Sequence, residues 1–209
     1  MNNQDDNLIY IVWQSFLVLS GWEVIATMLG ITYVILAARE SIWCWPTAFT
    51  STLIYTVLFW EGQLPMQALL NVYYMGTAVY GWTLWRKHKK TEGVLLVSTR
   101  PVRFHFWFIS SGIILTLATA YYLEQVVGSR LPYLDAFVTV FSVMNTILMA
   151  RKVLENWLYW LVIDSAAIIL YWQTGYYVTI VMFSMYLVLA IIGYLSWKKS
   201  LHNSQQQTV

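Results

Sequence analysis

Charged residues are scarce in this chain, and the residue types that build metal or redox sites are scarcer still. Only 11% of the 209 residues are Asp, Glu, Lys or Arg, whereas a soluble domain carries about 25%. The single cysteine, Cys44, cannot form an intrachain disulfide, and there is no CxxC, HxxxH or HExxH pattern and no glycine-rich phosphate loop. The sequence therefore argues against a metal centre and direct coupling to ATP, and no cofactor is predicted.

Hydrophobic residues take the place of the missing charges. They make up 59% of the chain, 17% of the residues are aromatic, and the mean hydropathy is +0.57. We therefore interpret residues 1–209 as one membrane-embedded domain of the all-α class. The net charge of +2 does not indicate a nucleic-acid partner, because the basic residues lie at the ends of apolar segments, where membrane topology explains them.

Seven apolar segments have about the length that a membrane-spanning helix needs, roughly 20 residues. The predicted spans are Trp22–Ala38, Cys44–Trp60, Met66–Trp85, His105–Tyr122, Tyr133–Met149, Trp157–Trp172 and Tyr176–Trp197. The shorter run Leu8–Leu19 predicts an interfacial segment over residues 1–20, with an eighth span as the alternative. Residues 200–209 are predicted to be a disordered tail.

The basic residues predict the orientation of the spans. With seven spans, eleven of the Lys and Arg residues fall on one side of the membrane and only Arg130 falls on the other. The positive-inside rule assigns the basic side to the cytoplasm. We therefore expect a multi-pass membrane protein with the N-terminus outside and the C-terminus in the cytoplasm.

The chain contains an internal repeat. Residues 22–86 align without a gap with residues 134–198 at an offset of 112, and twelve of the 65 aligned pairs are identical. A helix over residues 105–122 would link the two three-helix units in a 3+1+3 arrangement. An odd number of spans reverses the chain direction and the linker restores it, so the halves should run parallel, as in transporters that bind their substrate between two repeats. The identical pairs include Trp45 and Trp157, Gly81 and Gly193, and Trp85 and Trp197.

Asp164 is the most informative polar residue because it lies inside the sixth predicted span. A carboxylate there costs roughly 2.5–3.5 kcal/mol even on the lenient insertion scale, so a partner, water, a proton or a cationic ligand must offset it. Trp160 shares its helix face, and Trp160 and Trp157 offer cation–π attraction to an organic cation. The alternatives are a protonated Asp164 bonded to a neighbouring helix and a Trp157 that only anchors the helix at the interface.

Polar stripes mark the third, fifth and seventh predicted spans. Polar side chains are unfavourable against lipid, so these stripes should face protein or a water-filled path. The alternative for each residue is an interhelical hydrogen bond that holds the bundle together. The further predicted substrate contacts are Asn71, Tyr74, Ser142, Asn145 and Tyr186.

These motifs resemble those of the PnuC-type nicotinamide riboside transporter family, over nearly all of residues 22–198. The pattern Trp157-x-x-Trp160-x-x-x-Asp164 looks like the substrate motif of the family. The other matching features are Gln63-Leu64, Tyr80-Gly81-Trp82 with Trp85, Met149-x-Arg151-Lys152-x-x-Glu155-Asn156-Trp157, Asp135 and Ser142.

The resemblance implies a location in the bacterial inner membrane, a SWEET-like fold and a homotrimer with one substrate path per protomer. It also implies facilitated diffusion of an unphosphorylated vitamin that a cytosolic kinase then traps. Nicotinamide riboside is the first expectation and thiamine the alternative. Asp164 stands where nicotinamide riboside members usually have Asn, and Asn71 stands where they have Gln. A carboxylate only accepts hydrogen bonds, whereas an amide also donates them, so Asp164 favours amino groups and cations.

Three unrelated functions fit the sequence less well. A rhodopsin-like photoreceptor needs a Schiff-base lysine inside the seventh span, and Tyr176–Trp197 contains none. A membrane enzyme needs convergent acids, histidines or a nucleophile with its base, and Asp164 alone does not make that set, so we do not expect an enzyme. A SWEET-like sugar carrier is the third alternative, but the aromatic and acidic character of the predicted site favours a flat cation.

Overall fold

Residues 20–63, 65–91, 95–128 and 130–206 are described in a computed structural model of the chain. In these ranges the protein is built from seven α-helices, and a π-helical turn over Leu123–Val127 extends the fourth. The helices are α1 (Gly21–Ala38), α2 (Cys44–Glu61), α3 (Pro65–Thr91), α4 (Val102–Tyr122), α5 (Pro132–Ala150), α6 (Asn156–Thr174) and α7 (Tyr177–Gln206).

The all-α class predicted from the sequence is confirmed, and each predicted span coincides with one helix. The stretches Gly21–Ala38, Val102–Val126, Pro132–Ala150 and Tyr177–Gln206 are long and apolar enough to cross a membrane by length and composition. The helices α2, α3 and α6 are less apolar because Trp, Tyr, Thr, Asn and Asp interrupt them, and several of these residues line the cavity described below.

The prediction of a disordered tail from residue 200 is wrong over residues 200–206. Helix α7 continues to Gln206, because Leu201 packs against the buried core and gives this last stretch an apolar anchor. The rest of that tail, residues 207–209, and the predicted interfacial run Leu8–Leu19 lie outside the described residues. Helix α1 begins at a capping box, in which Ser20 and Glu23 bond each other's backbone N–H groups.

Six of the helices form a closed ring. Along the ring α1 packs on α2, α2 on α3, α3 on α5, α5 on α6 and α6 on α7, and α7 returns to α1. Helix α4 packs against α5, outside the ring. We call α1–α3 the first half and α5–α7 the second half. The helix contacts within the first half recur in the second, and the contact of α3 with α5 corresponds to that of α7 with α1.

The loops that join the first two helices of each half share one backbone form. Arg39 ends α1 with φ −88° and ψ 7°, and Arg151 ends α5 with φ −87° and ψ 6°. The next residues, Glu40 and Lys152, have positive φ angles of 55° and 50°, which are uncommon for residues other than glycine. Matching strained loops at an offset of 112 are what a duplicated three-helix unit would produce.

Candidate functional site

A cavity of about 280 Å³ lies inside the ring of six helices, and every ring helix contributes to its wall. This volume is near the lower end of the range of small-molecule pockets, about 300–1,000 Å³. The first half contributes Gly30, Tyr33, Val34, Trp45, Ala48, Ser51, Thr52, Tyr55, Tyr74 and Ala78. The second half contributes Ser142, Thr146, Met149, Trp157, Trp160, Asp164, Phe183, Tyr186 and Ala190.

Four tryptophans lie together where α2 and α6 begin, at one end of this cavity. Trp45 and Trp157 line the cavity, and each meets a second indole edge to face, Trp85 and Trp197 respectively, at a ring-centroid distance of 5.4 Å. The rings of Trp85 and Trp197 are 6.5 Å apart. We call these four residues the tryptophan layer; none is more than 5% exposed, so they separate the cavity from that end of the bundle.

The tryptophan layer also joins the two halves. The indole Nε1 of Trp85 donates a hydrogen bond to the carbonyl oxygen of Ala150 at 2.8 Å, and Nε1 of Trp197 donates to the carbonyl oxygen of Ala37 at 2.9 Å. Each bond runs from the last helix of one half to the first helix of the other. Both bonds are buried and add a partner to carbonyls at helix ends; that of Ala37 also accepts from the N–H of Glu40 at 2.9 Å.

A buried ion pair lies beside the tryptophan layer. Nζ of Lys152 is 2.6 Å from Oε2 of Glu40, and it also lies over the ring of Trp85, 4.5 Å from the ring centroid. Lys152 is 1% exposed, and a charge so deeply buried requires a partner. The two residues come from the matching loops of the two halves, so this pair links the halves a second time.

Two glycines make room for the cavity-lining tryptophans. A Cβ on Gly193 would lie 2.6 Å from atoms of the Trp157 indole, and a Cβ on Gly81 would overlap the Trp45 indole. Neither indole can move away easily, because Trp157 and Trp45 are each 1% exposed and packed against the neighbouring tryptophan. Glycine at these two positions therefore sets how deep the tryptophans lie and where the cavity ends.

Asp164 lies halfway along α6, as the ninth of its nineteen residues, and is 3% exposed. Its carboxyl group lines the cavity, and none of the residues that the structure describes forms a hydrogen bond or ion pair with it. The bonded, protonated alternative therefore lacks a partner on a neighbouring helix. Trp160, one turn earlier on the same helix, lines the same cavity. A buried acceptor beside an indole face can attract a cation.

Six of the eight residues that the sequence singled out lie on the cavity wall: Trp157, Trp160, Asp164, Tyr74, Tyr186 and Ser142. The other two, Asn71 and Asn145, are buried but are not part of that wall. Nδ2 of Asn71 donates to the carbonyl oxygen of Gln67, and Nδ2 of Asn145 donates to that of Asn156, each at 2.9 Å. These amides therefore serve the backbone, as short polar side chains often do.

Helices α1 and α2 contribute residues to the wall that were not predicted from the sequence. Tyr33, Ser51, Thr52 and Tyr55 are among these residues, and none is charged or placed in a recognisable motif. The signal that could have found them was the repeat itself, because the offset of 112 carries Trp157, Trp160 and Asp164 onto Trp45, Ala48 and Thr52.

Comparisons with known proteins agree with this architecture. The model of the family described as "Nicotinamide mononucleotide transporter" matches residues 20–199. The nicotinamide riboside transporter PnuC of Escherichia coli is 23% identical over 207 residues, which cover 87% of each chain. The riboflavin/roseoflavin transporter RibM of Streptomyces davaonensis is 27% identical over 183 residues, which cover 84% of this chain and 83% of RibM.

A solved structure has the same fold. It is the crystal structure of the vitamin B3 transporter PnuC, which superposes with a TM-score of 0.72 and 22% sequence identity, over 97% of this chain and 94% of that one. At this identity the likeness establishes the helical architecture.

Proposed function

The chain belongs to the nicotinamide mononucleotide transporter family, and from that premise we propose that it carries a cationic vitamin, first of all nicotinamide riboside, across the membrane. It is a membrane vitamin transporter and not an enzyme. Relatives named as nicotinamide riboside transporters in Escherichia coli and Neisseria mucosa, the latter 25% identical over 190 residues, support this choice of vitamin.

The observation that carries the proposal is the unpartnered carboxyl group of Asp164 in an aromatic cavity. A carboxylate halfway along a membrane helix costs roughly 2.5–3.5 kcal/mol, and no described residue offsets this cost with a bond. A cationic ring can do so, because it brings a positive charge to Asp164 and a flat face to the indole of Trp160, where cation–π attraction contributes roughly 0.5–2 kcal/mol.

Thiamine is the second candidate, because it too is a flat organic cation and carries an amino group that a carboxylate accepts well. The riboflavin named for RibM is a weaker candidate, because its ring system is neutral and would leave the charge of Asp164 without a partner. The same reasoning disfavours a neutral sugar, the cargo of a SWEET-like carrier.

We further propose that transport is facilitated diffusion. Asp164 is the only Asp, Glu, Lys or Arg on the cavity wall among the described residues, and since its carboxyl group binds the cationic vitamin in this proposal, a coupled carrier would need a further site for its coupling ion. A cytosolic kinase would then trap the vitamin by phosphorylation. Uptake into liposomes should follow the vitamin gradient and ignore imposed sodium and proton gradients at zero membrane potential; accumulation driven by either ion would contradict uniport.

The proposed arrangement in the membrane has the N-terminus outside, the C-terminus in the cytoplasm and three copies of the chain per assembly, each with its own path. The bias of the basic residues supports the orientation. The contacts that recur at an offset of 112, among them the Trp45–Trp85 and Trp157–Trp197 pairs, support two parallel repeats of SWEET-like type. The trimer rests on the family resemblance.

Replacing Asp164 by Asn tests the site, because the change keeps the size of the side chain and removes its charge. Calorimetric titration of the purified chain should give thiamine binding that is weaker by on the order of 1–3 kcal/mol, as for a lost hydrogen bond to a charged group. Nicotinamide riboside should lose less, since its carboxamide can pair with the new amide. The matched control is Asp135→Asn, in the first turn of α5 and away from the cavity wall.

Two outcomes would contradict the proposal, at different levels. If neither vitamin binds the unaltered protein, the proposed cargo is wrong. If both bind equally well to the unaltered protein and to Asp164→Asn, the carboxyl group only packs the bundle and the cation argument fails.

A further inference from the structure

The part of the cavity wall that α2 contributes carries three hydroxyl groups whose hydrogens are already in use. Oγ of Ser51 donates to the carbonyl oxygen of Ala26 at 2.7 Å, and Oγ1 of Thr52 donates to that of Ala48 at 2.8 Å. A hydroxyl has one hydrogen and two acceptor lone pairs. Ser51 and Thr52 can therefore only accept hydrogen bonds from a molecule in the cavity.

The third hydroxyl, that of Tyr55, is in the same state. It lies 2.7 Å from Oγ1 of Thr27, and Thr27 already donates to the carbonyl oxygen of Glu23 at 2.8 Å. Tyr55 must then be the donor of the bond between the two hydroxyls, which leaves its oxygen as an acceptor. Ser51, Thr52 and Tyr55, together called the hydroxyl wall, thus offer a bound molecule acceptors only.

The unused donors lie elsewhere in the cavity. Trp45 and Trp157 line it, and their buried indole N–H groups have no acceptor among the described residues. Tyr33 and Tyr186 also line it, and each has a hydroxyl group that can donate. The acceptors of the cavity wall therefore include the hydroxyl wall on α2 and Asp164. A ligand group with several hydrogen-bond donors finds its acceptors on α2, and such a donor left unpaired in the cavity would be costly.

The two halves also leave more space beside the hydroxyl wall. At an offset of 112, Trp160 corresponds to Ala48 and Asp164 corresponds to Thr52, and all four line the cavity. The indole of Trp160 covers the second half, whereas the methyl group of Ala48 leaves the first half open. A flat ring against Trp160 thus leaves room for a bulkier, non-planar group on the side of α2.

We propose that the hydroxyl wall is a subsite for the sugar-derived hydroxyl groups of the vitamin, with Thr52 as its specificity-determining residue. This rests on the proposed function, since the subsite is part of the same transport cavity. Nicotinamide riboside carries a ribosyl group and riboflavin a ribityl chain, and both groups present several hydroxyl donors next to a flat ring. Thiamine has one hydroxyl. The subsite therefore selects polyhydroxylated vitamins, while Asp164 selects cations, and nicotinamide riboside satisfies both.

The test is Thr52→Val, which keeps the branched shape and replaces the acceptor oxygen by a methyl group. Calorimetric titration of the full-length protein with nicotinamide riboside should show affinity about tenfold weaker, because a buried ligand hydroxyl loses its acceptor. Thiamine affinity should change by less than about twofold. The matched control is Thr50→Val on the same helix; Thr50 makes the same type of backbone bond, to Pro46 at 2.9 Å, but is exposed and lies off the cavity wall.

Equal losses for the two vitamins, or no loss for nicotinamide riboside, would overturn the subsite. If Thr52→Val does not fold, Tyr55→Phe removes another acceptor of the wall and carries the same expectation. If the unaltered protein binds thiamine but not nicotinamide riboside, the subsite is also overturned while a cationic-vitamin transporter stands. If it binds neither, the proposed function itself fails.

Discussion

The two halves of the molecule have the same residues in the tryptophan layer but differ at several corresponding positions of the cavity wall. In the tryptophan layer the corresponding positions hold the same residues, Trp45 with Trp157 and Trp85 with Trp197, in edge-to-face pairs of the same geometry. On the rest of the cavity wall Tyr74 and Tyr186, and Ala78 and Ala190, are also alike, but the other corresponding pairs that line it have diverged. The unequal pairs are Gly30 and Ser142, Val34 and Thr146, Ala48 and Trp160, and Thr52 and Asp164.

This difference separates the roles of the two regions. The tryptophan layer is dense packing, and a packing solution that works in one half works in the other. A small organic molecule has no twofold symmetry, so a cavity between two identical halves would offer it the wrong groups on one side. Unequal residues such as Ala48 and Trp160, or Thr52 and Asp164, are therefore expected where a substrate lies, whereas the tryptophan layer can keep the same residues in both halves.

The largest expected effect concerns the ion pair beside the tryptophan layer, where corresponding positions of the two halves carry opposite charges. Glu40→Ala leaves the 2%-exposed side chain of Lys152 without its counter-charge and should lower the free energy of unfolding by about 3–5 kcal/mol. Lys152→Met should cost about 1 kcal/mol or less, since the side chain of Glu40 is 21% exposed and can reach water. Thermal and denaturant unfolding in detergent measure the loss of stability in each variant. Equal losses for Glu40→Ala and Lys152→Met would contradict the deeper burial of Lys152.

The next largest effect concerns Gly81 and Gly193, which occupy corresponding positions in the two halves. Gly193→Ala places a Cβ 2.6 Å from the Trp157 indole and should destabilise the protein by about 1–3 kcal/mol, as overpacking does. Gly76→Ala on α3 is the matched control, because nothing lies within 4 Å of the new Cβ and Ala favours a helix by up to about 1 kcal/mol. The free energy of unfolding in detergent should therefore fall for Gly193→Ala and rise for Gly76→Ala. The same shift for both variants would contradict the close contact between Gly193 and the Trp157 indole.

The smallest expected effect comes from making the cavity walls of the two halves more alike. Ala48→Trp gives the first half the residue of the second and fills the space beside the hydroxyl wall. Affinity for nicotinamide riboside should fall about tenfold, which corresponds to about 1.4 kcal/mol. Phe49→Trp, at the neighbouring residue on the exposed side of α2, should leave the affinity unchanged. Undiminished titration heats with Ala48→Trp would mean that the vitamin does not use this space.

The ends of α1 and α5 could be predicted because a basic residue follows each of them. Arg39 and Arg151 mark the ends of α1 and α5, and the helices stop there. The end of α7 could not be predicted, because Lys198 and Lys199 suggested a stop, whereas Leu201 has core to pack against only once the bundle is assembled.

The candidate site could be predicted where polarity was exceptional and not where it was ordinary. Asp164 attracts attention in any apolar sequence, and Trp160 follows from the helical spacing. Asn71 and Asn145 look equally exceptional, but their amides bond to backbone carbonyls that the sequence does not reveal. Thr52 looks ordinary, because a threonine inside a membrane helix usually bonds its own backbone. Only the structure shows that Thr52 also lines the cavity.

The pair of Glu40 and Lys152 also bears on how such a molecule can have arisen. The two residues are 112 positions apart and bond directly, so they meet at the place where the axis relating the halves passes through the bundle. In a dimer of two identical half-length chains, a residue on that axis meets its own copy, which would set two acids or two amines against each other. Opposite charges at this point require two different half-sequences, as one chain that contains both halves provides, and the pair therefore distinguishes one half from the other.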